Sequence, residues 1–334
     1  MNFKIIDLFA GIGGIRLGIE KAIYKNGDTS KCVFSSEIDK YAIQTYITNF
    51  GKTNFYGDIT NLKDDKNIKK IIPDFDILLA GFPCQPFSQA GLKKGFDDTR
   101  GTLFFWIEKI LKIKKPNAFL LENVKHLKGH NNGSTLKTIL NILRKDFYVP
   151  DPQILNAKDF GLPQNRQRIY IIGFLKNNGL FEYPQPLKAT TSVGSILEKR
   201  VSKKYVISSK LWEGHQRRKR EHKVKGNGFG YGIFNKDNEY TNTISARYYK
   251  DGSEVLISRG KNKNPRKLTE RECARLQGFP ENFKIPVSTN QAYKQFGNSV
   301  PVKVIEALGE QIIKYLKNYN ISKCSQPESK KIYY

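Results

Sequence analysis

The first 175 residues repeat one pattern: a short apolar run, a turn carrying glycine or an acid, and then apolar residues at helical spacing. "FKIIDLF" ends in "AGIGG" and leads into "IRLGIEKAI", and "CVFSSEID" leads into "KYAIQTYITNF". "DILLAGF" precedes the helical stretch "RGTLFFWIEKILKIKKP", stopped by Pro116; "NAFLLENV" precedes "GSTLKTILNILRK"; and "RIYIIGF" is a late strand. Alternation of this kind predicts an α/β fold, a doubly wound, mainly parallel sheet with helices on both faces. In such a sheet, ligands gather beyond the carboxyl ends of the strands. Glu37, Cys84 and Glu122, the unusual polar groups of this half, all fall at such ends.

At 334 residues the chain can form one large domain and a smaller one. Four cysteines, Cys32, Cys84, Cys273 and Cys324, with no CxxC pair, exclude a disulfide framework and a thiolate zinc site and point to a reducing compartment. His126, His130, His215 and His222 lack ligand spacing, so no metal is expected. With no leader pattern and no apolar run of membrane-spanning length, the chain is expected to be cytoplasmic. Its net charge of +26 calls for a polyanionic partner. Residues 186–271 hold 21 Lys/Arg against 8 Asp/Glu, half of that charge on a quarter of the chain. Here glycines and aromatics interleave with cations, as in "HQRRKREHKVKGNGFGYG" and "ISARYYKDGS". The polar stretch after Lys317 is expected to be loosely ordered.

The glycine turn departs from a dinucleotide fingerprint. After Gly11 and Gly13 the third glycine position holds Arg16, so the turn does not fit a pyrophosphate. Glu37 is placed to take ribose hydroxyls, and Asp58 in "YGDI" to meet the amino group of a base. Acids around such a turn suit a nucleoside with a positive tail. S-adenosylmethionine is the common ligand of that description, and a structural turn in an unrelated α/β protein is the alternative.

The motifs "DLFAGIGG", "GFPCQPFS", "ENV", "QNRQRIYIIG", "RKLTERECARLQGFP" and "QAYKQFGNSVP" follow one another between residues 3 and 317. In this order they resemble the bacterial DNA (cytosine-5)-methyltransferases. The resemblance implies the S-adenosylmethionine-dependent methyltransferase fold, with residues 1–185 and 290–320 as the catalytic domain. Residues 186–289 would form a DNA target-recognition domain and hinge, and 321–334 a polar tail.

It also implies the chemistry. Cytosine C5 is too weak a nucleophile to accept a methyl group until a thiolate adds at C6, and Cys84 would be that nucleophile. Glu122 would hold or protonate N3 and bind the exocyclic amine. Arg168 resembles the contact to the base's O2, and Arg166 its partner in the same segment. The target base must leave the stack to reach Cys84. Cofactor contacts carried over from the family are Phe9, Gly11, Gly13, Glu37, Ile38, Asp58, Ile59, Leu103, Asn298 and Ser299. At Ile38 relatives often carry tryptophan against the adenine, which puts cofactor affinity in question. Gln85, Ser88, Arg100 and Thr243 would meet the DNA, with Gln85 or a residue of the small domain helping to fill the gap left by the flipped base.

For the target, "KGNGFGYG" and "TISARYYKDGSEVLI" resemble recognition segments of the Dcm type (CCWGG, CCNGG) and of CCGG-reading enzymes, with the inner cytosine modified. Arg247 and Arg259 would read guanines or contact phosphates. Double-stranded DNA is thus the expected partner, with a cognate restriction endonuclease as a functional pair. An RNA cytosine-5 methyltransferase of related fold is the enzymatic rival. A catalytically inactive DNA-binding relative is the other rival, and it should lack Cys84 or Glu122.

Overall fold

The computed structural model of the chain describes residues 1–52, 54–83, 103–187, 190–228 and 230–324. Its first half runs β1 (Asn2–Leu8), α1 (Gly14–Lys25), β2 (Thr29–Ser36), α2 (Lys40–Phe50), β3 (Phe55–Tyr56), α3 (Asp65–Ile71), β4 (Ile77–Gly81), α4 (Leu103–Lys114), β5 (Ala118–Val124), α5 (Ser134–Leu143), β6 (Gln153–Asn156) and β7 (Gln167–Phe174). Among the described residues these strands form one seven-stranded sheet in the order β3-β2-β1-β4-β5-β7-β6. The first five are parallel; β7 runs antiparallel to both β5 and β6. The chain therefore winds outward from β1 in one direction, returns, and winds outward from β4 in the other. That reversal leaves a crevice at the carboxyl ends of β1 and β4, where a doubly wound sheet binds its ligand.

Both faces of the sheet are covered, which explains why its strands read as nearly continuous apolar runs. Successive side chains point to opposite faces. Ile6, Leu8, Leu78 and Ala80 pack with Phe104, Ile107 and Ile110 of α4, whereas Ile5, Ile77 and Leu79 pack with Ile19 of α1 and with Ile305 and Leu308.

The second half is built from smaller pieces: α6 (Ser209–Val224), β8 (Ile233–Phe234), the single turn α7 (Tyr248–Asp251), β9 (Leu256–Ile257), α8 (Glu270–Leu276), α9 (Thr289–Asn298) and α10 (Val302–Cys324). The segment "RKLTERECARLQGFP" is structural. Thr269 and Glu272 form a reciprocal cap at the start of α8, and Arg266 grips the buried Glu272 carboxylate with two hydrogen bonds of 2.6 and 2.8 Å. α10 returns to the first half and lies along α1. They approach so closely that a Cβ on Gly18 would sit 2.6 Å from Cβ of Ile305, so this position requires glycine.

Several elements differ from the sequence expectation. β3, α3 and β6 were not anticipated, being short or polar, and β2 begins at Thr29, upstream of the apolar run. α10 continues to Cys324, so the polar stretch after Lys317 begins as helix and residues 321–324 belong to it. Its anchors explain why: the Tyr315 ring packs 4.1 Å from that of Phe174, and Lys317 pairs with Asp28 at 2.6 Å. Among the described residues no helix is long and apolar enough to cross a membrane.

Candidate active site

The turn after β1 is backbone in unusual conformation. Phe9 (φ 53°), Gly11 (φ 54°) and Gly13 (φ 81°) all have positive φ, and Phe9 adopts it with a full side chain. The Gly11 amide donates to Oε2 of Glu37 at 2.8 Å, while Oε1 of Glu37 accepts from the amides of Ile38 and Asp39 at 2.8 and 2.9 Å. The carboxylate just past β2 is thus fixed against the turn, and a carboxylate retains acceptor capacity for further donors.

A cavity of about 460 Å³ opens at this end of the sheet. Phe9, Gly11 and Ile59 wall one part of it together with Glu37, Ile38 and Asp58; Leu103, Asn298 and Ser299 close another. Gly13 does not line it. Its role is steric, because a Cβ there would lie 2.3 Å from the Phe50 ring. Asp58 accepts from the amide and hydroxyl of Thr60 at 2.9 and 2.8 Å, which turns the carboxylate at the head of a short 3-10 helix. Ile38 is 73% exposed at the rim.

The same cavity reaches Glu122, Arg166 and Arg168. The register of β4 and β5 sets Gly81 opposite Glu122, so the chain that leads to Cys84 departs beside this carboxyl. Nε of Arg168 lies 3.1 Å from Oε1 of Glu122. Burial pushes the Glu122 carboxyl above the usual range, against the pull of Arg168 and then Arg166. Asn123 of "ENV" donates to the Phe82 carbonyl at 3.0 Å and so ties the end of β5 to the segment before Cys84. Arg166 is 1% exposed, and its guanidinium is spent on backbone: it donates to the carbonyls of Ile244 and Gly297 at 2.9 and 3.0 Å and to that of Ser299. Burial lowers this guanidinium to about 9, which leaves it charged at neutral pH.

Behind the glycine turn lies a polar cluster that the sequence reading did not foresee. Arg16 donates to Glu20 at 2.8 Å and to the Tyr46 hydroxyl at 3.1 Å, and its guanidinium lies 4.4 Å from the centre of the Phe50 ring. The Tyr46 hydroxyl also meets Ser35 at 2.8 Å. Asp7, 1% exposed, faces the cluster, and burial pushes its carboxyl up to about 8. Arg16 therefore ties α1 to α2, and Tyr46 ties α2 to the end of β2, behind the cavity. The signal was its occupation of the third glycine position.

The remaining expected contacts lie elsewhere. Thr243 donates its hydroxyl to the Asn165 carbonyl at 2.6 Å, one residue from Arg166. Arg247 is exposed at the start of α7, and Arg259 is exposed with a 3.4 Å contact to the Asn264 carbonyl. Cys84, Gln85, Ser88 and Arg100 lie outside the described residues.

Comparison with known proteins decides what this site belongs to. The C-5 cytosine-specific DNA methylase family matches residues 3–314. The chain belongs to that family. The methylase is 62% identical over 310 residues to the Type II methyltransferase M.NlaX of Neisseria lactamica, covering 93% of this chain and 96% of the relative. It is 60% identical over 320 residues to the Type II methyltransferase M1.ScrFI of Lactococcus lactis subsp. cremoris, covering 95% and 79%. The methyltransferase EhMeth of Entamoeba histolytica shares its fold, with a TM-score of 0.74 at 24% identity over 96% of this chain and 99% of that one. The enzyme is therefore a DNA cytosine-5 methyltransferase that uses S-adenosylmethionine.

The cavity fits that cofactor. Its volume is that of a small-molecule site. Phe9, Ile59 and Leu103 give its lining apolar surface that suits a base, and the carboxylates of Glu37 and Asp58 suit hydrogen-bond donors rather than phosphates.

Proposed function

We propose that the methylase modifies C5 of a cytosine flipped out of double-stranded DNA, the inner cytosine of a CC-x-GG or CCGG site, by way of a covalent bond between Cys84 and C6. The observation that carries this reading is the Glu122 carboxyl. It is buried, raised and paired with Arg168 beside the strand end that leads to Cys84, in the cavity that also holds Glu37.

S-adenosylmethionine, when bound, supplies the methyl group. Glu37 would hold its ribose, Asp58 its base amine and Phe9 its ring face, with Gly11, Ile38, Ile59, Leu103, Asn298 and Ser299 around them and Gly13 shaping the turn. The chain's own task is to make C5 nucleophilic. The Cys84 thiolate forms a bond to C6 while Glu122 provides the proton for N3, so that ring electrons reach C5 instead of accumulating as charge. Once C5 carries the methyl group, a base removes its hydrogen as a proton, the S–C6 bond breaks, the thiolate leaves, and N3 returns its proton to Glu122. Arg168 would hold O2 of the base. Arg166, with its guanidinium engaged by three carbonyls, would position Arg168 and the neighbouring segments.

Residues 186–289 form the target-recognition region in this reading, with 1–185 and 290–320 as the catalytic part. Gln85, Ser88, Arg100 and Thr243 would contact DNA around the flipped base, and Arg247 and Arg259 the site itself. The resemblance of "KGNGFGYG" and "TISARYYKDGSEVLI" to Dcm-type and CCGG-reading segments supports the frame. The names of its Type II relatives support a restriction-modification role, in which the enzyme would be paired with a cognate endonuclease. Bisulfite sequencing of plasmid treated with the purified enzyme tests the site. Protected cytosines in a CC-x-GG or CCGG frame are expected, and any other frame would overturn the assignment of the recognition segments.

A further inference from the structure

One face of α9 is turned to the cofactor cavity. Gln291, Lys294, Gln295 and Asn298, spaced three and four residues apart, all line it. Among the described residues the Lys294 ammonium meets one group, the ring of Tyr249 in the α7 turn, 4.7 Å from the ring centre. A ring face attracts a cation without consuming its hydrogen-bond donors, and an ammonium carries three. The two other cations among the described lining residues are engaged. Arg166 donates to three carbonyls; Arg168 faces Glu122 at 3.1 Å and donates to the Gln167 carbonyl at 2.8 Å. Lys294 is thus the cation of this wall that has no polar partner among the described residues.

We propose that the Lys294 ammonium binds the carboxylate of S-adenosylmethionine. This rests on the reading that Phe9, Glu37 and Asp58 hold the adenosine. Four acids, Glu37, Asp39, Asp58 and Glu122, line the described part of the cavity, and they suit a cofactor that brings a sulfonium and an ammonium. The same acids repel its carboxylate, and a charge that leaves water without a partner is costly. The carboxylate therefore needs a cation in the wall. With the adenosine at Glu37 and Asp58, and the methyl group directed to the base beside Glu122, the amino-acid tail is left with the α9 wall. There Lys294 stands one turn before Asn298. A DNA phosphate is the other anion a lysine could meet, but it brings no positive group to offset four acids. Sequence spacing does not single out Lys294 in "QAYKQFGNSVP"; the fold does, by setting its side of α9 against the cavity and against Tyr249.

The test is calorimetric titration of the full-length enzyme, without DNA, with S-adenosylmethionine and with its decarboxylated form, which keeps the sulfonium and the amine. Wild type should bind the decarboxylated compound about tenfold more weakly, the worth of one hydrogen bond to a charged group. Lys294→Met should bind S-adenosylmethionine about tenfold more weakly than wild type does, and should no longer distinguish the two compounds. Lys294→Arg should keep the distinction. Both affinities of a variant are read on one preparation, so their ratio does not depend on how much of it is folded. A wild type that binds both compounds alike, or Lys294→Met with the wild-type ratio, would overturn the assignment. So would Lys294→Met with wild-type cofactor affinity and a weaker, less salt-dependent hold on duplex, which marks a phosphate contact. Glu37→Gln reads the underlying placement separately. It should weaken both compounds equally and keep their ratio; unchanged affinity for both would overturn the placement of the adenosine and this assignment with it.

Discussion

Arg166→Ala should cost stability before it costs chemistry. The side chain is 1% exposed and donates to three main-chain carbonyls, those of Ile244, of Gly297 in the last turn of α9 and of Ser299 just past it. Leaving a buried acceptor unpaired costs about 1–3 kcal/mol. Three acceptors, with water entering the vacated space to serve some of them, give a loss of about 3–5 kcal/mol. Urea unfolding at fixed pH without cofactor would read this loss, and titration with S-adenosylmethionine should show weaker binding as well, since Ser299 lines the cofactor cavity. Arg166→Lys should recover only part, because one ammonium cannot reproduce a planar fork that reaches three carbonyls. The reasoning would be refuted by an Arg166→Ala enzyme within about 1 kcal/mol of wild-type stability that still loses a hundredfold or more in kcat. That result would make Arg166 a catalytic contact instead of a positioning residue.

Three further outcomes follow from the site. Asp7 keeps its proton up to about pH 8 in the folded state but loses it in the ordinary carboxylate range when unfolded. Its contribution to stability is complete at acid pH and is lost as the pH rises to about 8, so wild type should lose about 2 kcal/mol relative to Asp7→Asn between pH 6 and pH 8 in urea unfolding; parallel pH profiles would contradict this. Glu122→Gln should lower kcat by about 10²–10⁴-fold with S-adenosylmethionine affinity unchanged, and a smaller loss in single-turnover assays would remove Glu122 from the proton path. Ile38→Trp, at a rim position 73% exposed, should tighten cofactor binding about fivefold, the worth of one aromatic contact of about 1 kcal/mol; unchanged affinity by calorimetry would show that the rim does not meet the adenine.

The alternating apolar runs made the sheet legible because each central strand is covered on both faces and so keeps its apolar character throughout. β3 and β6 escaped for the opposite reason: they are two and four residues long, lie at the sheet's edges, and are only partly buried. Glu37 and Glu122 could be picked out because acids at strand ends have no packing purpose. The role of Arg166 could not be read the same way. Its three partners lie 78 to 133 residues away, and nothing local in "QNRQR" distinguishes an arginine that reaches inward to carbonyls from one that faces the cavity. Asp7 and Tyr46 were hidden likewise, since each sits in an apolar or helical pattern that explains it locally.

The central claim is the bond between Cys84 and C6 of the target cytosine. Duplex with 5-fluorocytosine at the mapped site, incubated with enzyme and S-adenosylmethionine, tests it because fluorine cannot leave C5 as a proton does, so the adduct cannot resolve. A complex that survives denaturing electrophoresis is predicted, dependent on S-adenosylmethionine, with the nucleotide mapped to the Cys84 peptide and no such complex from Cys84→Ser. Attachment at Cys32 or Cys273, or an adduct that persists in Cys84→Ser, would contradict the account.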